Sequence, residues 1–384
     1  MTPWNVTRFI FAILFLLFGS LAFLPAPTVT LFQVKVAATE YGHWFAIGSL
    51  ALIFIGGRRA ALDTASMAIA AITTALLLSS SVRASMLSSE LPAKFDAALP
   101  AGAGSATRGG SPFSWSRLWS FGGPAAVEAQ VIDYAEHDNQ RTSLDFFPAQ
   151  GRNPAPCVIV LHTGGWDSGK RWEFKEFNQR LANRGYAVVT IDYRLAPTWK
   201  WPAQRDDLIA AIDYMQGHAN DLGIDGNRIV LVGRSAGGQI AQAVAYSGRK
   251  SAIRGVIAFY TPADLFFAFK YAKASDILNS DKLLRQFLGG TPDEAAKNYE
   301  SASGFQLAKD TSPPTLLIHG RQDELVWVRQ SERLDAQLES VGAKHFFVQL
   351  PWATHGFDYN FNGPGGQIAE WAVERFIERV TANP

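Results

Sequence analysis

The chain has 384 residues, 48% hydrophobic and 18% charged, which is typical of a folded protein rather than a disordered one. Its 35 Lys and Arg residues balance 34 Asp and Glu residues, so charge gives no reason to expect a nucleic-acid partner. The single cysteine, Cys157, excludes an intrachain disulfide and a thiolate metal cluster, and its apolar neighbours predict a buried strand position. We expect no metal and no cofactor.

The first 82 residues are much more apolar than the rest of the chain. The few charged residues before Arg83 leave three long uncharged runs. The first, from Phe9, is long enough to cross a hydrocarbon layer of about 30 Å as a helix. The second, residues 41–57, is shorter, and the third, about 60–82, is rich in the small residues found where membrane helices pack together. We therefore predict about three transmembrane helices within residues 1–82, with the lipid bilayer as a partner.

Two other interpretations of this region stay open. The first run follows a short segment containing Arg8 and could be a cleaved signal peptide, although no convincing small-x-small cleavage site follows it. All three runs could also be buried helices of a soluble protein. With three crossings, Arg8 and the pair Arg58-Arg59 share the cytoplasmic side, which predicts a bacterial-type inner membrane with residues after 82 outside the cytoplasm. The positive residues that follow, Arg83 among them, oppose this orientation.

Residues 83–130 are predicted to form a linker. They are rich in Gly, Ser, Ala and Pro, as in PAGAGSATRGGSP. Trp115, Trp119 and Phe121 are spaced to lie on one side of a short helix, which would rest on the membrane interface or dock on the soluble domain.

From residue 131 to residue 384, short β-rich runs alternate with amphipathic segments. The β-rich runs are CVIVLHT, YAVVTIDYR, RIVLVGR, GVIAFY, PTLLIHG and HFFVQLP. Such alternation predicts an α/β fold, a mostly parallel sheet covered by helices on both faces. A helix-rich insertion at 261–312 interrupts the alternation where a cap or lid could sit.

One segment, VLVGRSAGGQIAQAVAY, places a serine between a predicted strand and a predicted helix. Ser235 is the centre of a G-x-S-x-G motif, in which flanking glycines let strand and helix close around a strained turn. The motif alone is common, but the strand before it and the helix after it make it specific. We therefore predict that Ser235 is a nucleophile.

A serine hydroxyl needs a base that accepts its proton and an acid that orients the base. Of the histidines after Ser235, His319 ends a strand and His345 begins one, whereas His355 lies in a loop after the last strand. We assign His355 as the base. Asp323 and Glu324 follow the preceding strand, and Asp323 is favoured as the acid because it comes first and has the shorter side chain. Glu324 remains the alternative.

Developing negative charge on a carbonyl oxygen needs hydrogen-bond donors, the oxyanion hole. The backbone N–H of Ala236 follows the nucleophile directly, and the glycine-rich loop in VIVLHTGGWDSG offers Gly164 and Gly165. Tryptophans crowd the same loops, and three of them are candidates for the substrate pocket: Trp166, Trp201 and Trp327.

With these motifs in place, residues 130–384 resemble the α/β-hydrolase superfamily, and within it the hormone-sensitive-lipase-like, feruloyl and acetyl esterases. The resemblance rests on HTGGW, DYRLAP, GRSAGGQIA, HGRQDELV and THGFD. It implies an α/β-hydrolase fold, oxyanion donors at Gly164 and Gly165, and the triad Ser235, Asp323 and His355. Two positions depart from the family, Thr163 in place of a glycine and Arg234 in place of an aspartate. We expect Arg234 to pair with a nearby carboxylate.

These observations predict a membrane-anchored serine carboxylesterase that acts on small-molecule esters with short or compact acyl groups. The same residues would serve an acyltransferase or a peptidase, because these enzymes differ in acceptor and pocket shape rather than in the triad. A non-catalytic membrane docking protein is the alternative from another class. The sequence identifies no protein partner.

Overall fold

The computed structural model describes residues 3–55, 61–100, 110–137, 140–248 and 250–382. The predicted pair Arg58-Arg59 and most of the segment PAGAGSATRGGSP lie outside the described residues. Four helices occupy the N-terminal region. They are α1 (Pro3–Ser20), α2 (Val29–Glu40), α3 (Gly42–Phe54) and α4 (Ala61–Ala98).

Two of these helices are long and apolar enough to cross a bilayer. The most apolar windows of α1 and α4 have mean hydropathies of 1.4 and 1.7. Helix α3 is apolar but has only 13 residues, which span about 20 Å at 1.5 Å per residue. Of the three predicted crossings, two therefore meet the requirements of length and composition within the described chain.

Helices α1, α3 and α4 pack side by side. At one end, the buried Arg8 of α1 donates to the carbonyl of Leu52 on α3 (2.8 Å) and pairs with Asp63 on α4 (3.5 Å). At the other end, Gly42 packs on the Leu77 carbonyl and Gly19 on the Leu77 side chain.

The predicted linker from residue 83 is wrong for its first part, because α4 continues without interruption to Ala98. Its C-terminal half packs into the core of the α/β domain, where the Phe95 ring lies 5.3 Å from that of Phe346. Asp96 forms ion pairs with Arg375 (2.6 Å) and Arg379 (2.8 Å). A continuous helix thus joins the apolar bundle to the α/β domain.

The predicted short helix around Trp119 is also wrong, since only one 3₁₀ turn forms at Arg117–Trp119. Trp119 and Phe121 instead pack against Trp44 at the start of α3, with ring centroids 4.9 and 5.0 Å away. Trp115 packs on Phe113.

The remainder of the chain forms an eight-stranded sheet with the order β1-β2-β4-β3-β5-β6-β7-β8. The strands are β1 (Gln130–His137), β2 (Gln140–Phe147), β3 (Ala155–Leu161), β4 (Ala187–Ile191), β5 (Ile224–Arg234), β6 (Ile253–Phe259), β7 (Thr315–Gly320) and β8 (His345–Leu350). The β1–β2 and β2–β4 pairs are antiparallel and all the others are parallel. The predicted mostly parallel α/β fold is confirmed.

Helices cover both faces of the sheet and form a separate group above its carboxyl edge. They are α5 (Lys175–Asn183), α6 (Ala203–Gly217), α7 (Ala236–Tyr246), α8 (Leu265–Tyr271), α9 (Ser280–Leu288), α10 (Pro292–Ala302), α11 (Gly304–Leu307), α12 (Arg329–Ser340) and α13 (Pro364–Thr381). Alternate residues of β3 point into the hydrophobic cores on opposite faces of the sheet. Cys157 and Ile159 lie in one core, and Val158 lies in the other. Burial of both faces explains why the strand is a continuous apolar run. Cys157 is fully buried, as predicted.

The insertion at 261–312 contains the four helices α8 to α11. It follows β6 directly and therefore lies above the edge of the sheet where the parallel strands end. This is the edge at which parallel α/β sheets place their ligand sites.

Candidate active site

Ser235 occupies the turn between β5 and α7. Its backbone angles, φ 52° and ψ −119°, are strained for a residue with a side chain. Its N–H donates to the carbonyl of Phe259 at the end of the neighbouring strand β6, over 2.9 Å. The turn therefore holds Ser235 at the carboxyl edge of the sheet.

The glycines of the motif are required by close backbone packing. A Cβ at Gly233 would overlap the carbonyl oxygen of Gly237, and a Cβ at Gly237 would overlap that of His162. No larger residue fits at either position without moving the backbone of β3 or α7. The predicted strand–turn–helix context of the G-x-S-x-G motif is confirmed.

Asp323 and His355 come from the loops after β7 and β8, and they meet. His355 Nδ1 lies 2.7 Å from Asp323 Oδ2, which favours donation from the ring to the carboxylate. Because Nδ1 is engaged in this way, Nε2 is the ring atom left to exchange a proton. The structure brings these two predicted residues together across 32 positions of sequence.

Hydrogen bonds fix the Asp323 carboxylate on both oxygens. Oδ1 accepts from the N–H groups of Leu325 and Val326, each at 2.9 Å. Burial alone would raise the pKa of Asp323, but the charge of His355 and hydrogen bonds from His319 and His355 lower it to about 2. Asp323 is therefore ionised at neutral pH.

Glu324, the alternative acid, faces a different partner. Its Oε1 accepts from Lys35 Nζ at 2.7 Å and its Oε2 from the Ala26 N–H at 2.8 Å. Both donors belong to the N-terminal region. The geometry therefore favours Asp323 as the residue paired with His355.

His319 supports the same loop. Its Nδ1 lies 2.7 Å from Ser331 Oγ, and its Nε2 lies 2.8 Å from the carbonyl of Val326. Nε2 is also 3.2 Å from Asp323 Oδ2.

Tyr260 forms a wall against the base. It follows β6 with a positive φ of 39°, and its ring centroid lies 4.2 Å from that of His355. The Tyr260 hydroxyl donates to Asp358 Oδ1 at 2.7 Å, and Arg234 Nε donates to Asp358 Oδ2 at 2.6 Å. A buried network thus fixes the ring on which His355 rests.

Arg234 pairs with a carboxylate, as predicted from its departure from the family pattern. The side chain is fully buried, and its guanidinium also lies over the rings of Phe174 and Phe177 at 3.9 and 4.4 Å. Cation–π contacts of this kind partly replace water around a buried charge. The pair with Asp358 places Arg234 behind Ser235, outside the cavity.

Gly165 and Ala236 line one cavity with Ser235. Gly164 and Gly165 adopt positive φ angles of 113° and 58°, so the loop after β3 turns sharply beside Ser235. A Cβ at Gly164 would overlap the carbonyl of Ser168. The loop thus brings its backbone close to Ser235, as an oxyanion hole requires.

The cavity has a volume of about 220 Å³. Its wall contains residues of the insertion at 261–312, among them Phe267 and Leu284, so the insertion does cover the site. Within the described chain, no group of three His, Cys, Asp or Glu residues could hold a metal ion.

Of the three pocket tryptophans predicted from the sequence, Trp166 and Trp327 line the cavity. Trp201 does not, and this prediction is wrong. Its ring packs behind Phe287 (5.7 Å between centroids), and its Nε1 donates to Ser301. Phe287 separates it from Trp166, on which Phe287 stacks at 4.3 Å.

Three residues of the site were not anticipated from the sequence. They are Lys35, Tyr260 and Asp358. Lys35 stands out in the sequence as an isolated charge between apolar runs, and Asp358 lies within the motif THGFD, but no local pattern marks Tyr260.

Comparison with known proteins agrees with this geometry. The BD-FAE family model matches residues 144–338, just over half of the chain. The chain belongs to the BD-FAE family. The matched segment contains Ser235 and Asp323, and His355 lies beyond it.

Named relatives of this BD-FAE chain include two from Mycobacterium tuberculosis. Esterase LipC is 29% identical over 241 residues, which are 59% of this chain and 59% of LipC. The probable carboxylic ester hydrolase LipM is 27% identical over 322 residues, 76% of this chain and 73% of LipM. The chain thus spans about three fifths of LipC and somewhat more of LipM.

Solved structures share the fold of this BD-FAE chain. The thermostable carboxylesterase EstE1, cloned from a metagenomic library, superposes with a TM-score of 0.59 at 23% identity, covering 68% of this chain and 92% of EstE1. An esterase from the archaeon Pyrobaculum calidifontis gives 0.58 at 24% identity, covering 65% and 83%. The fold is that of the α/β hydrolases.

Proposed function

We propose that the chain is a membrane-anchored serine carboxylesterase, with Ser235 as nucleophile, His355 as base and Asp323 as orienting acid. The observation that carries the proposal is the 2.7 Å contact between Asp323 and His355 at the carboxyl edge where the strained turn holds Ser235. The relatives named as esterases support the same reaction class.

The reaction proceeds in two halves. Ser235 Oγ attacks the ester carbonyl while its proton passes to His355 Nε2, and the ionised Asp323 stabilises the imidazolium that forms. The charge on the carbonyl oxygen is met by backbone N–H groups of Gly164, Gly165 and Ala236. His355 then protonates the departing alcohol, and water, deprotonated by the same nitrogen, releases the acyl group as a carboxylate.

The acyl group is short or compact. The cavity of about 220 Å³ lies below the range of roughly 300–1,000 Å³ that holds drug-sized ligands. Trp166 lines the cavity, and its stacking on the buried ring of Phe287 resists displacement. A long acyl chain would have to move these rings.

Helices α1 and α4 anchor the protein in the membrane, and α3 packs against α4. Apolar side chains on their outer surfaces are exposed, such as Leu17 on α1 (59%), Phe54 on α3 (67%) and Ile72 on α4 (57%). Exposed apolar surface on three adjacent helices is expected where lipid surrounds them. The continuous α4 then fixes the height of the hydrolase domain above the bilayer.

The test is a panel of p-nitrophenyl esters of rising acyl length, assayed on the purified full-length protein with and without sugar and long-chain alcohol acceptors. We expect kcat/KM to peak at short acyl chains, with free acid as the main product. Esters formed on the acceptors would indicate an acyltransferase. If the protein turned over neither the esters nor peptide substrates, the result would support a non-catalytic docking protein instead.

A further inference from the structure

The upper edge of the apolar bundle can be located from charge. Residues 64–82 of α4 carry no charge and lie between Asp63 and Arg83. At 1.5 Å per residue this stretch spans about 30 Å, the thickness of the hydrocarbon layer. Arg83 lies 5.2 Å from the ring of Phe23, just beyond the end of α1. The surface of the bilayer on the hydrolase side therefore falls at Phe23 and Arg83.

Aromatic residues cluster near this edge. Trp44, at the start of α3, packs against Trp119 and Phe121 from the segment before β1. Phe121 is 86% exposed, and Trp119 is 39% exposed. Tryptophan and other aromatic rings are enriched where a membrane protein meets the headgroups. The rings of this cluster therefore suit an interface at the hydrolase end of the bundle.

The cavity that contains Ser235 reaches the same level. Glu324 is part of its wall, and this carboxylate accepts hydrogen bonds from the Ala26 N–H and from Lys35. Ala26 is three residues beyond Phe23. The Glu324 side chain thus connects the wall of the cavity to the segment that follows α1.

The rim of the cavity is apolar and exposed. We define the apolar rim as Tyr271, Leu278 and Trp327, which line the cavity and are 40%, 37% and 44% exposed. The rings of Tyr271 and Trp327 lie 5.3 Å apart. On the side of the bundle, Leu24 is 51% exposed between Phe23 and Ala26. Glu324 therefore lies between two groups of exposed apolar side chains, the apolar rim and Leu24. Such surfaces favour contact with lipid over contact with water.

We propose that the cavity opens at the bilayer surface and takes esters whose alcohol part is anchored in the membrane. This inference rests on the proposed function and names its substrate class. The compact acyl group enters the cavity beside Ser235, while the lipophilic alcohol stays across the apolar rim in the bilayer. On acyl transfer to Ser235 the alcohol takes the proton from His355 and remains in the membrane, and water later releases the acyl group as a soluble carboxylate.

The test compares two butyrate esters on the full chain in phosphatidylcholine nanodiscs. Hexadecyl butyrate is carried by the bilayer, whereas ethyl butyrate is dissolved in water, and both deliver the same acyl group. The rim variant is Leu278→Gln. The control is Val131→Gln on β1, at the opposite edge of the sheet, where Val131 is 65% exposed. Released butyrate is measured for each protein.

We expect Leu278→Gln to lower kcat/KM for hexadecyl butyrate by about tenfold, the scale of one lost apolar contact in a substrate site. The loss on ethyl butyrate should be smaller, because its short alcohol does not reach across the apolar rim, and both activities of Val131→Gln should stay within about twofold of the wild type. Two results would overturn this inference while leaving the proposed esterase function intact. One is an equal loss of activity on both esters in Leu278→Gln. The other is a protein that cleaves ethyl butyrate but does not cleave hexadecyl butyrate. If neither ester is cleaved above the level of Ser235→Ala, the proposed esterase function fails with it.

Discussion

Lys35 and Glu324 form an ion pair of 2.7 Å between helix α2 and the loop that carries Asp323. Lys35 is 2% exposed and Glu324 is 24% exposed, so the pair is largely shielded from water. The residue next to Glu324 is the acid that contacts His355. The N-terminal region therefore helps to position the loop that holds Asp323, in addition to its proposed role as a membrane anchor.

Lys35→Met removes the buried cation and leaves Glu324 with only the Ala26 N–H. We expect a loss of about 1–3 kcal/mol in the free energy of unfolding, the scale of a hydrogen bond to a charged group. Turnover should also fall, because the Asp323 loop is less firmly held. Thermal unfolding and ester hydrolysis measure the two effects.

The matched control is Lys94→Met on α4, where the pair Lys94–Glu90 is exposed on both sides. Exposed pairs of this kind are typically worth less than about 1 kcal/mol, so this variant should behave like the wild type. An equal effect of the two substitutions would contradict the role given to Lys35.

Asp323→Asn and Glu324→Gln separate the two candidate acids. Asp323→Asn removes the charge that orients His355 and should lower kcat by about 10⁴-fold, as in other triads. Glu324→Gln keeps the shape of a side chain that does not contact His355, so kcat should fall by no more than about tenfold. Steady-state kinetics on one soluble ester decides between them, and the reverse order of effects would reassign the acid.

The sequence predicted the core of the fold well because the parallel strands are buried on both faces. β3 to β8 were visible as continuous apolar runs between turn residues. β1 and β2 were not predicted, since β1 alternates between exposed and half-buried positions and lacks such a run. The C-terminal half of α4 was taken as linker because residues 83–130 are rich in Gly, Ser, Ala and Pro. Packing of Phe95 in the hydrolase core, which no local pattern shows, stabilises the helix there.

The site was predicted where chain order and loop position specify it. Ser235, Asp323 and His355 each follow a strand that ends at the same edge of the sheet, so chain order and loop position identified them as candidates. The pair Lys35–Glu324 joins residues 289 positions apart, and nothing near either residue indicates the other. Trp201 was misplaced because loop proximity in sequence does not reveal which ring packs behind another.

Glu40 predicts a pH dependence of stability. It lies at the end of α2, where its Oε2 accepts from the Gly365 N–H at 2.8 Å. Burial raises the pKa of Glu40 to about 8, despite that hydrogen bond. The folded protein therefore binds this proton more tightly than the unfolded chain, so its contribution to stability is complete below pH 4.5 and is lost as the pH rises through 8.

Glu40→Gln keeps a neutral side chain at every pH and should remove part of the fall in Tm between pH 6 and pH 9. Glu136→Gln, at an exposed position on β1, serves as the control and should leave the pH profile of Tm unchanged. Thermal scans at several pH values test this. Parallel profiles for the wild type and Glu40→Gln would show that Glu40 does not bind the proton.

The topology predicts that the hydrolase domain is outside the cytoplasm. In the described bundle, the N-terminal end of α1, the C-terminal end of α3 and the N-terminal end of α4 lie on one side, as three crossings require. Alkaline phosphatase fused after Pro384 in a bacterial host should be active, and a fluorescent protein fused there should be dark. If the fluorescent-protein fusion were bright and the alkaline phosphatase fusion inactive, the hydrolase domain would lie in the cytoplasm.

The central claim is that Ser235 is the nucleophile of an esterase, and covalent labelling tests it most directly. Purified wild-type protein and the variants Ser235→Ala and Ser280→Ala are treated with a fluorophosphonate probe and assayed on a short-chain ester. Ser280 lines the same cavity, so it controls for a general effect of serine removal. We predict that the wild type and Ser280→Ala are labelled and active, whereas Ser235→Ala is unlabelled and its kcat falls by about 10⁶-fold. Ester cleavage by Ser235→Ala at a rate comparable to the wild type, or labelling that persists in it, would contradict the account.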